Sequence, residues 1–224
     1  MSTVLITGAN RGIGLALASR FAGRGDQVIA TCRSSSDALQ ALPGVRVETG
    51  VDMADGDSVR ALAQRLGELR IDVLVCNAGI LERDRLGALD DAAFDGMRRQ
   101  FEVNAMGPLR MVEALAPQLR DGAKVGIITS RMGSVADNGS GGHYGYRASK
   151  AAVNAVGKSL ANDLAGRGIA VLLLHPGFVA TDMVGGQGEI SAKESAEQLV
   201  ARLDALGMAE TGSFHHANGM PLPW

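Results

Sequence analysis

The sequence TVLITGANRGIG occupies residues 3–14 and joins a short apolar run directly to a glycine-rich turn. The run Thr3–Thr7 is apolar and β-branched almost throughout, which is typical of a strand covered on both faces of a sheet. After the turn, the residues Gly12–Arg24 place apolar side chains at helical spacing. The stretch therefore predicts a strand, a tight turn and a helix, which together make the first unit of an α/β fold.

The same alternation of strand and helix continues along the chain. Further strands are predicted at Gln27–Cys32, Arg46–Val51, Ile71–Cys76, Lys124–Thr129, Ala170–His175 and Ser213–His216. Further helices are predicted at Asp57–Leu69, Asp90–Val103, Gly107–Leu119, Ala148–Ala165 and Ser191–Leu206. Strands that alternate with helices form a mainly parallel sheet with right-handed crossovers. We therefore expect one domain over residues 1–224, with a three-layer, doubly wound (Rossmann-type) α/β fold and a mainly parallel seven-stranded sheet.

The composition excludes several classes of partner. The chain has 224 residues, of which 46% are hydrophobic and 21% charged, and its formal net charge is −2. This balance offers no basic surface for DNA, RNA or an anionic membrane, and no apolar run is long enough to span a bilayer. The two cysteines, Cys32 and Cys76, lack the spacing of a disulfide framework or a metal site. Because no basic leader segment follows Met1, the expected location is cytoplasmic.

The glycine-rich turn is a candidate phosphate site. Glycines let the backbone turn sharply and approach a pyrophosphate, whose charge is stabilised by the N-terminus of the following helix. Gly8, Gly12 and Gly14 form a GxxxGxG pattern, which differs from the more common GxGxxG. Any tight turn between a strand and a helix can use glycine, so it is the position in the first βα unit that favours nucleotide binding.

The end of the second predicted strand indicates which dinucleotide the site prefers. NAD-binding proteins tend to place an acidic residue about 20 residues beyond the glycine pattern, where it binds the ribose 2′-hydroxyl. Here Cys32 and Arg33 occupy that place, with Arg33 lying 19 residues after Gly14. A guanidinium suits a 2′-phosphate, and Arg11 in the turn is a second candidate. The pattern predicts NADP(H) in preference to NAD, and a solvated surface arginine is the alternative interpretation of Arg33.

The chain contains only two tyrosines, Tyr144 and Tyr146, and a lysine lies four residues after the second. Residues four apart share one face of a helix, so Lys150 is expected beside Tyr146, whereas Tyr144 has Ala148 at that spacing. A nearby ammonium favours the phenolate, so we expect the Tyr146 pKa to fall below its ordinary value of about 10. A tyrosine tuned in this way can act as general acid or base between an alcohol and a carbonyl.

Taken together, these patterns resemble the short-chain dehydrogenase/reductase (SDR) family over nearly the whole chain. The resemblance rests on six segments in the family's order: Gly8–Gly14, Asn77-Ala78-Gly79, Asn104, Ser130, Tyr146–Lys150 and Pro176-Gly177. Each of them follows a predicted strand or lies on a predicted helix. The resemblance implies an oxidoreductase that transfers a hydride between NADP(H) and a small carbonyl or alcohol substrate.

The resemblance also implies a role for each matched residue. Tyr146 would donate the proton in carbonyl reduction, and Ser130 would hold the carbonyl oxygen. Lys150 would lower the tyrosine pKa and bind the nicotinamide ribose, while Asn104 would position a water on the proton path. The residues expected to bind the cofactor are Gly8, Asn10, Arg11, Gly12, Ile13, Gly14, Arg33, Asp52, Met53, Asn77, Ala78, Gly79, Tyr146, Lys150, Pro176, Gly177, Val179 and Thr181.

Two segments depart from the family's pattern. Ser130 precedes Tyr146 by 16 residues because the polar, glycine-rich residues 137–142 lengthen the connection, which makes Ser134 a rival for the role of Ser130. The segment after Met183 is short and glycine-rich, where the family usually builds a lid over the substrate. We therefore expect an open cleft with little selection by shape.

The resemblance extends to partners and to one alternative function. The family implies a homodimer or homotetramer built on the helices Gly107–Leu119 and Ala148–Ala165. The Tyr-Arg-Ala-Ser-Lys segment and the Leu-Pro-Trp ending resemble a bacterial C-factor-like subgroup, so the alternative is a cofactor-binding signalling or regulatory protein with weak or no turnover. An epimerase or dehydratase of the extended branch would need an added substrate domain, for which 224 residues leave no room.

Overall fold

The computed structural model describes all residues from Met1 to Trp224. Seven parallel strands form one sheet in the order β3-β2-β1-β4-β5-β6-β7. The strands are β1 (Thr3–Thr7), β2 (Gln27–Thr31), β3 (Val45–Glu48), β4 (Ile71–Cys76), β5 (Leu119–Ile128), β6 (Ala170–His175) and β7 (Ser213–His216). The helices are α1 (Gly12–Gly23), α2 (Asp37–Gln40), α3 (Gly56–Leu66), α4 (Asp91–Phe101), α5 (Gly107–Leu115), α6 (Tyr144–Leu164) and α7 (Ala192–Ala205). The predicted doubly wound α/β fold is confirmed.

Two apolar cores, one on each face of the sheet, hold the three layers together. Successive residues of a strand point to opposite faces, so Leu5 packs in one core while Val4 and Ile6 pack in the other. The first core includes Met111 of α5, and the second includes Leu199 of α7. Because both faces of β1 are covered, its residues are apolar without alternation, which is the pattern that identified it as a strand.

The helix that carries the tyrosine and lysine begins earlier than its sequence indicates. The predicted range was Ala148–Ala165, and the observed helix α6 begins at Tyr144. The backbone N–H groups of Tyr144 and Gly145 donate to the carboxylate of Asp84, at 3.0 Å for Gly145. This cap comes from a residue 61 positions away from Gly145, so no local pattern reveals it.

The boundary between α5 and β5 also differs from the prediction. Helix α5 ends at Leu115 instead of Leu119, and β5 begins at Leu119 instead of Lys124. Pro117 explains the helix end, because proline has no backbone N–H with which to continue the helical hydrogen bonds. The early start of β5 follows a register shift against β4, which local periodicity does not show. Likewise, β3 spans Val45–Glu48 instead of Arg46–Val51.

A π-helical segment, Glu102–Met106, joins α4 to α5 and was not predicted. The helical run is therefore continuous from Asp91 to Leu115. Segments of this kind are often found at functional sites, and here the segment carries the buried residue Asn104. No helix in the protein combines the length and apolar character needed to cross a membrane.

Candidate active site

The carboxyl ends of β1, β4, β5 and β6 lie side by side and carry most of the residues singled out in the sequence. The segments that follow these strands begin with Gly8, Asn77, Thr129 and Pro176. In sheets of this kind, ligands bind beyond the carboxyl ends of the strands. The connectivity thus gathers segments that are far apart in the chain at one edge of the sheet.

The turn after β1 is so tightly packed that Gly8 and Gly14 leave no room for a side chain. Gly8 has a φ of +66°, a conformation that side chains rarely adopt. A Cβ atom on Gly14 would lie 2.2 Å from the carbonyl oxygen of Gly8 and 2.6 Å from Nδ2 of Asn77. The first turn of α1 therefore presses directly against the preceding loop.

Asn77 and Thr7 fix this turn to the end of β4. Nδ2 of Asn77 donates to the carbonyl oxygens of Thr7 and Gly8 at 3.0 and 3.2 Å. The backbone N–H groups of Asn77 and Ala78 both donate to Oγ1 of Thr7 at 3.0 Å. The side chain of Asn77, which is predicted to bind the cofactor, thus also shapes the turn. Thr7 was not singled out in the sequence, because a threonine inside an apolar strand resembles an ordinary strand residue.

The N-terminus of α1 is uncapped and open to a ligand. Arg11 precedes the helix and supplies no side-chain hydrogen bond to it. By contrast, Asp55, Asp90 and Ser191 cap α3, α4 and α7 with their side-chain oxygens. Arg11 instead lies 3.4 Å from the carboxylate of Asp182, an exposed pair that connects the turn with the segment after β6. The first N–H groups of α1 are therefore free to bind an anion.

Arg33 is exposed at the end of β2 and forms none of the protein's salt bridges. Cys32 beside it is only 3% exposed, and burial raises the pKa of its thiol. Ser36 was not singled out in the sequence. Its hydroxyl donates to the carbonyl oxygen of Asn10 at 2.7 Å and caps α2, so it connects the segment after β2 with the glycine-rich turn.

Asp52 and Met53 follow β3 and face different surroundings. A carboxylate oxygen of Asp52 accepts a 2.9 Å hydrogen bond from the N–H of Ala54. Met53 is buried, and a Cβ on Gly107 would lie 2.8 Å from the Cβ of Met53. Met53 thus packs against the start of α5 as a core residue.

Tyr146 and Lys150 lie one turn apart in α6, and both are nearly inaccessible. Tyr146 is 8% exposed and Lys150 is 4% exposed, whereas Tyr144 is 42% exposed. The Nζ atom of Lys150 lies 5.7 Å from the centroid of the Tyr146 ring and donates to the carbonyl oxygen of Ile128 at 3.0 Å. The expected pairing of these two residues is therefore present, and Tyr144 stands outside it.

Burial shifts the pKa of both groups toward their neutral forms. It raises the pKa of Tyr146 to about 12, and contact with the Ser130 side chain opposes this shift by a smaller amount. It lowers the pKa of Lys150 to about 8. The sequence-based expectation of a Tyr146 pKa below 10 is thus wrong for the protein by itself, because removal of the phenol from water outweighs any effect of the ammonium.

Ser130 and its rival Ser134 have separate surroundings. Ser130 lies directly after Thr129 at the end of β5, and its Oγ accepts a 3.1 Å hydrogen bond from the N–H of Met132. Ser134 is turned away, since its hydroxyl donates to the backbone oxygen of Trp224 at 2.9 Å. Ser130 and Tyr146 line the same cleft, and Ser134 does not line it.

Asn104 is fully engaged with neighbouring protein groups. Its Oδ1 accepts from the N–H of Ile80 at 2.8 Å, and its Nδ2 donates to the Ile80 carbonyl and to the Ser149 hydroxyl at 2.9 and 3.0 Å. A Cβ on Gly79 would lie 3.2 Å from Oδ1 of Asn104 and 3.6 Å from Nζ of Lys150. The asparagine oxygen and the lysine nitrogen thus both lie next to the point where a side chain at position 79 would begin.

A cleft of about 560 Å³ opens at this edge of the sheet. It brings together seven of the predicted site residues, namely Ile13, Ser130, Tyr146, Pro176, Gly177, Val179 and Thr181. The other thirteen predicted site residues lie outside it, namely Gly8, Asn10, Arg11, Gly12, Gly14, Arg33, Asp52, Met53, Asn77, Ala78, Gly79, Asn104 and Lys150. Lining residues that were not singled out in the sequence are Leu81, Thr129, Arg131, Met132, Asp137, Gly139, Ser140, Arg147, His175, Phe178, Met183 and Val184. Nothing in their local sequence distinguishes them, because the fold alone brings them together.

Comparison with known families agrees with this arrangement. The model of the short chain dehydrogenase family matches residues 2–192. This chain belongs to the short-chain dehydrogenase family. The predicted resemblance is therefore confirmed, and the match covers every predicted site residue.

The relatives of this short-chain dehydrogenase have names that indicate different functions. The chain is 45% identical to the 1-hydroxy-2-glutathionyl-2-methyl-3-butene dehydrogenase of Rhodococcus sp. (strain AD45), with full coverage of both chains. It is 41% identical to the C-signal protein of Myxococcus xanthus, over 74% of this chain and all of that relative. The fold is also similar to that of an NADPH-bound carbonyl reductase from chicken fatty liver, with a TM-score of 0.90 at 28% identity, over 100% of this chain and 99% of that one.

Proposed function

We propose that the protein is an NADP(H)-dependent oxidoreductase that transfers a hydride between the nicotinamide and a carbonyl or alcohol substrate. The observation that carries the proposal is the placement of Tyr146 beside Lys150 and Ser130. Tyr146 and Ser130 face one cleft, and the residues that follow β6 line the same cleft. A proton donor and a hydrogen-bonding group directed at one point are what carbonyl reduction requires of the protein.

The residues present fit a phosphorylated dinucleotide. The uncapped N-terminus of α1 supplies N–H donors for a pyrophosphate. The exposed guanidinium of Arg33 has no acidic partner and suits a 2′-phosphate. Arg11 is the second candidate, although Asp182 already shares its charge. No group of three or more His, Cys, Asp or Glu side chains could hold a metal ion. The set of residues thus supports NADP(H) as the cofactor that we propose.

The protein's own groups then have separable tasks. The nicotinamide, when bound, supplies or accepts the hydride. The Ser130 hydroxyl orients the substrate oxygen, and the Tyr146 hydroxyl transfers the proton to it. A Tyr146 pKa of about 12 keeps the phenol protonated at neutral pH, which is the form needed for reduction. Lys150, with a pKa of about 8, retains its charge below that pH and is held by the Ile128 carbonyl. A positive charge on Lys150 favours loss of the proton from Tyr146 in the oxidation direction.

The proton path beyond Lys150 is part of the proposal. The side-chain amide of Asn104 is already bound to Ile80 and Ser149. We therefore assign any water bridge to the backbone carbonyl of Asn104, within the π-helical segment, where regular helix hydrogen bonding is interrupted. The side chain of Asn104 then acts by holding this segment against Ile80.

A homo-oligomer, either dimer or tetramer, is also part of the proposal, and so is a cytoplasmic location. The outer faces of α5 and α6 expose apolar or small side chains. Leu109, Ala152 and Val156 are only partly buried within one protein chain, and Phe101 at the end of α4 is 43% exposed. An apolar surface of this extent favours a contact with a second copy.

A signalling or regulatory role with weak turnover is the second candidate. The 41% identity to the C-signal protein, which extends over the whole of that relative, is the observation that favours it. Tyr146, Lys150 and Ser130 are present together in this chain, which favours the enzyme over a protein that only binds a cofactor.

The deciding experiment is a panel of aldehydes, ketones and alcohols, followed by the change in NADPH absorbance. The panel includes a glutathionyl-substituted alcohol, because the Rhodococcus relative is named as the dehydrogenase of such a compound. We expect NADPH-dependent turnover of at least one carbonyl compound. Binding of NADPH without turnover of any member would favour the signalling candidate.

A further inference from the structure

The wall of the cleft carries an unequal set of charges. Among the lining residues, only Arg131, Asp137 and Arg147 bear charge at neutral pH, which leaves one positive charge in excess. His175 also lines the cleft, but burial lowers its pKa to about 4, so it is neutral. None of these residues belongs to the set that handles the hydride or the proton.

Arg131 and Asp137 neutralise each other. The Nε atom of Arg131 donates to a carboxylate oxygen of Asp137. This bond lowers the pKa of Asp137, and the charge of Arg147 lowers it further. Asp137 is therefore ionised, and its direct partner is Arg131, while Arg147 makes no hydrogen bond to it.

Arg147 is held in place by neutral acceptors alone. Its Nε donates to the Gly142 carbonyl at 3.1 Å, its Nη1 to the Met132 carbonyl at 3.4 Å, and its Nη2 to the Ser140 hydroxyl at 2.8 Å. A guanidinium has five N–H donors, so these contacts leave two of them free. The side chain is partly buried and directly follows Tyr146 in α6. A fixed, partly desolvated guanidinium without a carboxylate partner is a favourable site for an anion.

Part of the wall is apolar. Leu81, Met132, Phe178, Met183 and Val184 line the cleft beside the polar groups. A ligand that matches this wall has an apolar body and a single negative charge. One N–H remains free on each of Nη1 and Nη2 of Arg147, and a carboxylate offers two oxygens that can accept from them.

We propose that the cleft selects carbonyl substrates that carry a carboxylate, and that Arg147 binds this carboxylate. The inference rests on the proposed carbonyl reduction and names its substrate class. It makes Arg147 a specificity-determining residue for the reaction.

The test compares 4-formylbenzoate with its methyl ester, two aldehydes that differ in charge at one position. The parent protein is expected to show a kcat/KM for the acid at least tenfold above that for the ester, which corresponds to about 1.4 kcal/mol. Arg147→Gln should reduce this ratio at least tenfold. Asp137→Asn should raise the ratio, because it removes the only competing negative charge from the wall. Lys158→Gln, an exposed site further along α6, removes the same charge as Arg147→Gln and should leave the ratio unchanged.

Calorimetric titration of the NADP⁺ complex, which cannot reduce the aldehyde, with 4-formylbenzoate separates the two proposals. Equal kcat/KM values for acid and ester would overturn the role of Arg147 and leave carbonyl reduction standing. Absence of turnover with both aldehydes, together with binding of the acid that Arg147→Gln abolishes, would support the anion site and count against carbonyl reduction. Neither binding nor turnover of the acid would overturn the anion site.

Discussion

The Nζ atom of Lys150 lies 5.7 Å from the centroid of the Tyr146 ring, and both side chains are buried in the same two turns of α6. The two residues therefore share one low-dielectric environment, in which each charged form is costly. When both residues are protonated, Tyr146 is neutral and Lys150 carries the only charge of the pair. This relationship underlies the first two predictions.

Tyr146→Phe should lose roughly a thousandfold in kcat for carbonyl reduction while binding NADPH nearly as well as the parent. The ring and its packing remain, and only the proton donor is removed. Tyr144→Phe is the matched control, because Tyr144 is exposed and has Ala148 one turn ahead of it. Steady-state kinetics with a substrate from the panel, together with NADPH titration, measures both effects. If Tyr144→Phe lost activity and Tyr146→Phe did not, the assignment of Tyr146 as the proton donor would be wrong.

Lys150→Met should stabilise the cofactor-free protein at pH 7 while abolishing activity. A buried lysine with its pKa lowered from 10.5 to about 8 costs the folded state about 3 kcal/mol at neutral pH. Lys150→Met removes this cost, but it also removes the hydrogen bond to Ile128, which offsets part of the gain. An increase of about 1–2 kcal/mol in the free energy of unfolding is therefore expected. Urea denaturation measures it, and Lys158→Met serves as the exposed control.

The pH dependence of the Lys150→Met effect has a definite sign. Between pH 8 and 10.5 the unfolded parent binds more protons than the folded parent, so the stability of the parent rises with pH in that window. The advantage of the Lys150→Met variant should therefore shrink as pH increases from 8 to 10.5. A variant less stable than the parent at pH 7 would show that Lys150 is not buried with its charge.

Arg33→Ala should weaken NADPH binding at least tenfold and leave NADH binding almost unchanged. The guanidinium is the exposed cation at the end of β2, and tenfold corresponds to about 1.4 kcal/mol, less than a typical charge-assisted hydrogen bond to phosphate contributes. Arg20→Ala, exposed in the last turn of α1, is the control. Calorimetric titration with both cofactors measures these affinities. Equal affinities of the parent for NADPH and NADH would contradict the role proposed for Arg33.

Gly14→Ala should destabilise the protein by about 1–3 kcal/mol and weaken NADPH binding, since its Cβ would overlap the carbonyl oxygen of Gly8. Gly23→Ala lies in the same helix with open space around the added methyl group, so it should be neutral or slightly stabilising. Thermal unfolding and NADPH titration of both variants measure the difference. Equal behaviour of the two would mean that the turn relaxes around Gly14.

Light scattering should give a mass of at least twice the 23.2 kDa of one chain. Val156→Asp places a charge on the partly exposed apolar face of α6 and should shift the protein toward the monomer. Lys158→Asp, two residues away and exposed, is the control. A parent protein that is monomeric at working concentration would refute the proposed assembly.

Much of the fold and of the site was accessible from sequence because it depends on local patterns. The apolar runs of β1 and β6 reflect burial on both faces, and glycine at positions 8 and 14 reflects close backbone contacts. The four-residue spacing of Tyr146 and Lys150 places both side chains on one face once the segment is helical. Each of these features leaves a local pattern in the sequence, although some of the contacts behind it, such as that of Gly8 with Ala78, join distant residues.

Features that depend on distant contacts were missed. The start of α6 is set by Asp84, and Arg147 acquires its surroundings from Met132, Ser140 and Gly142. The direction of the Tyr146 pKa shift was mispredicted because spacing reveals a neighbouring charge but not the exclusion of water. Burial is a property of the folded molecule as a whole.

The π-helical segment Glu102–Met106 sets the angular phase between α4 and α5. Each residue of an α-helix advances the chain by about 100°, so deleting one residue here would rotate everything that follows by that angle. Met111 and Leu115, both fully buried, would turn out of the core together. The exposed loop at Gly139–Gly141 can absorb a change of length without such a rotation. The fold is therefore expected to tolerate insertions and deletions in that loop but not in the π-helical segment.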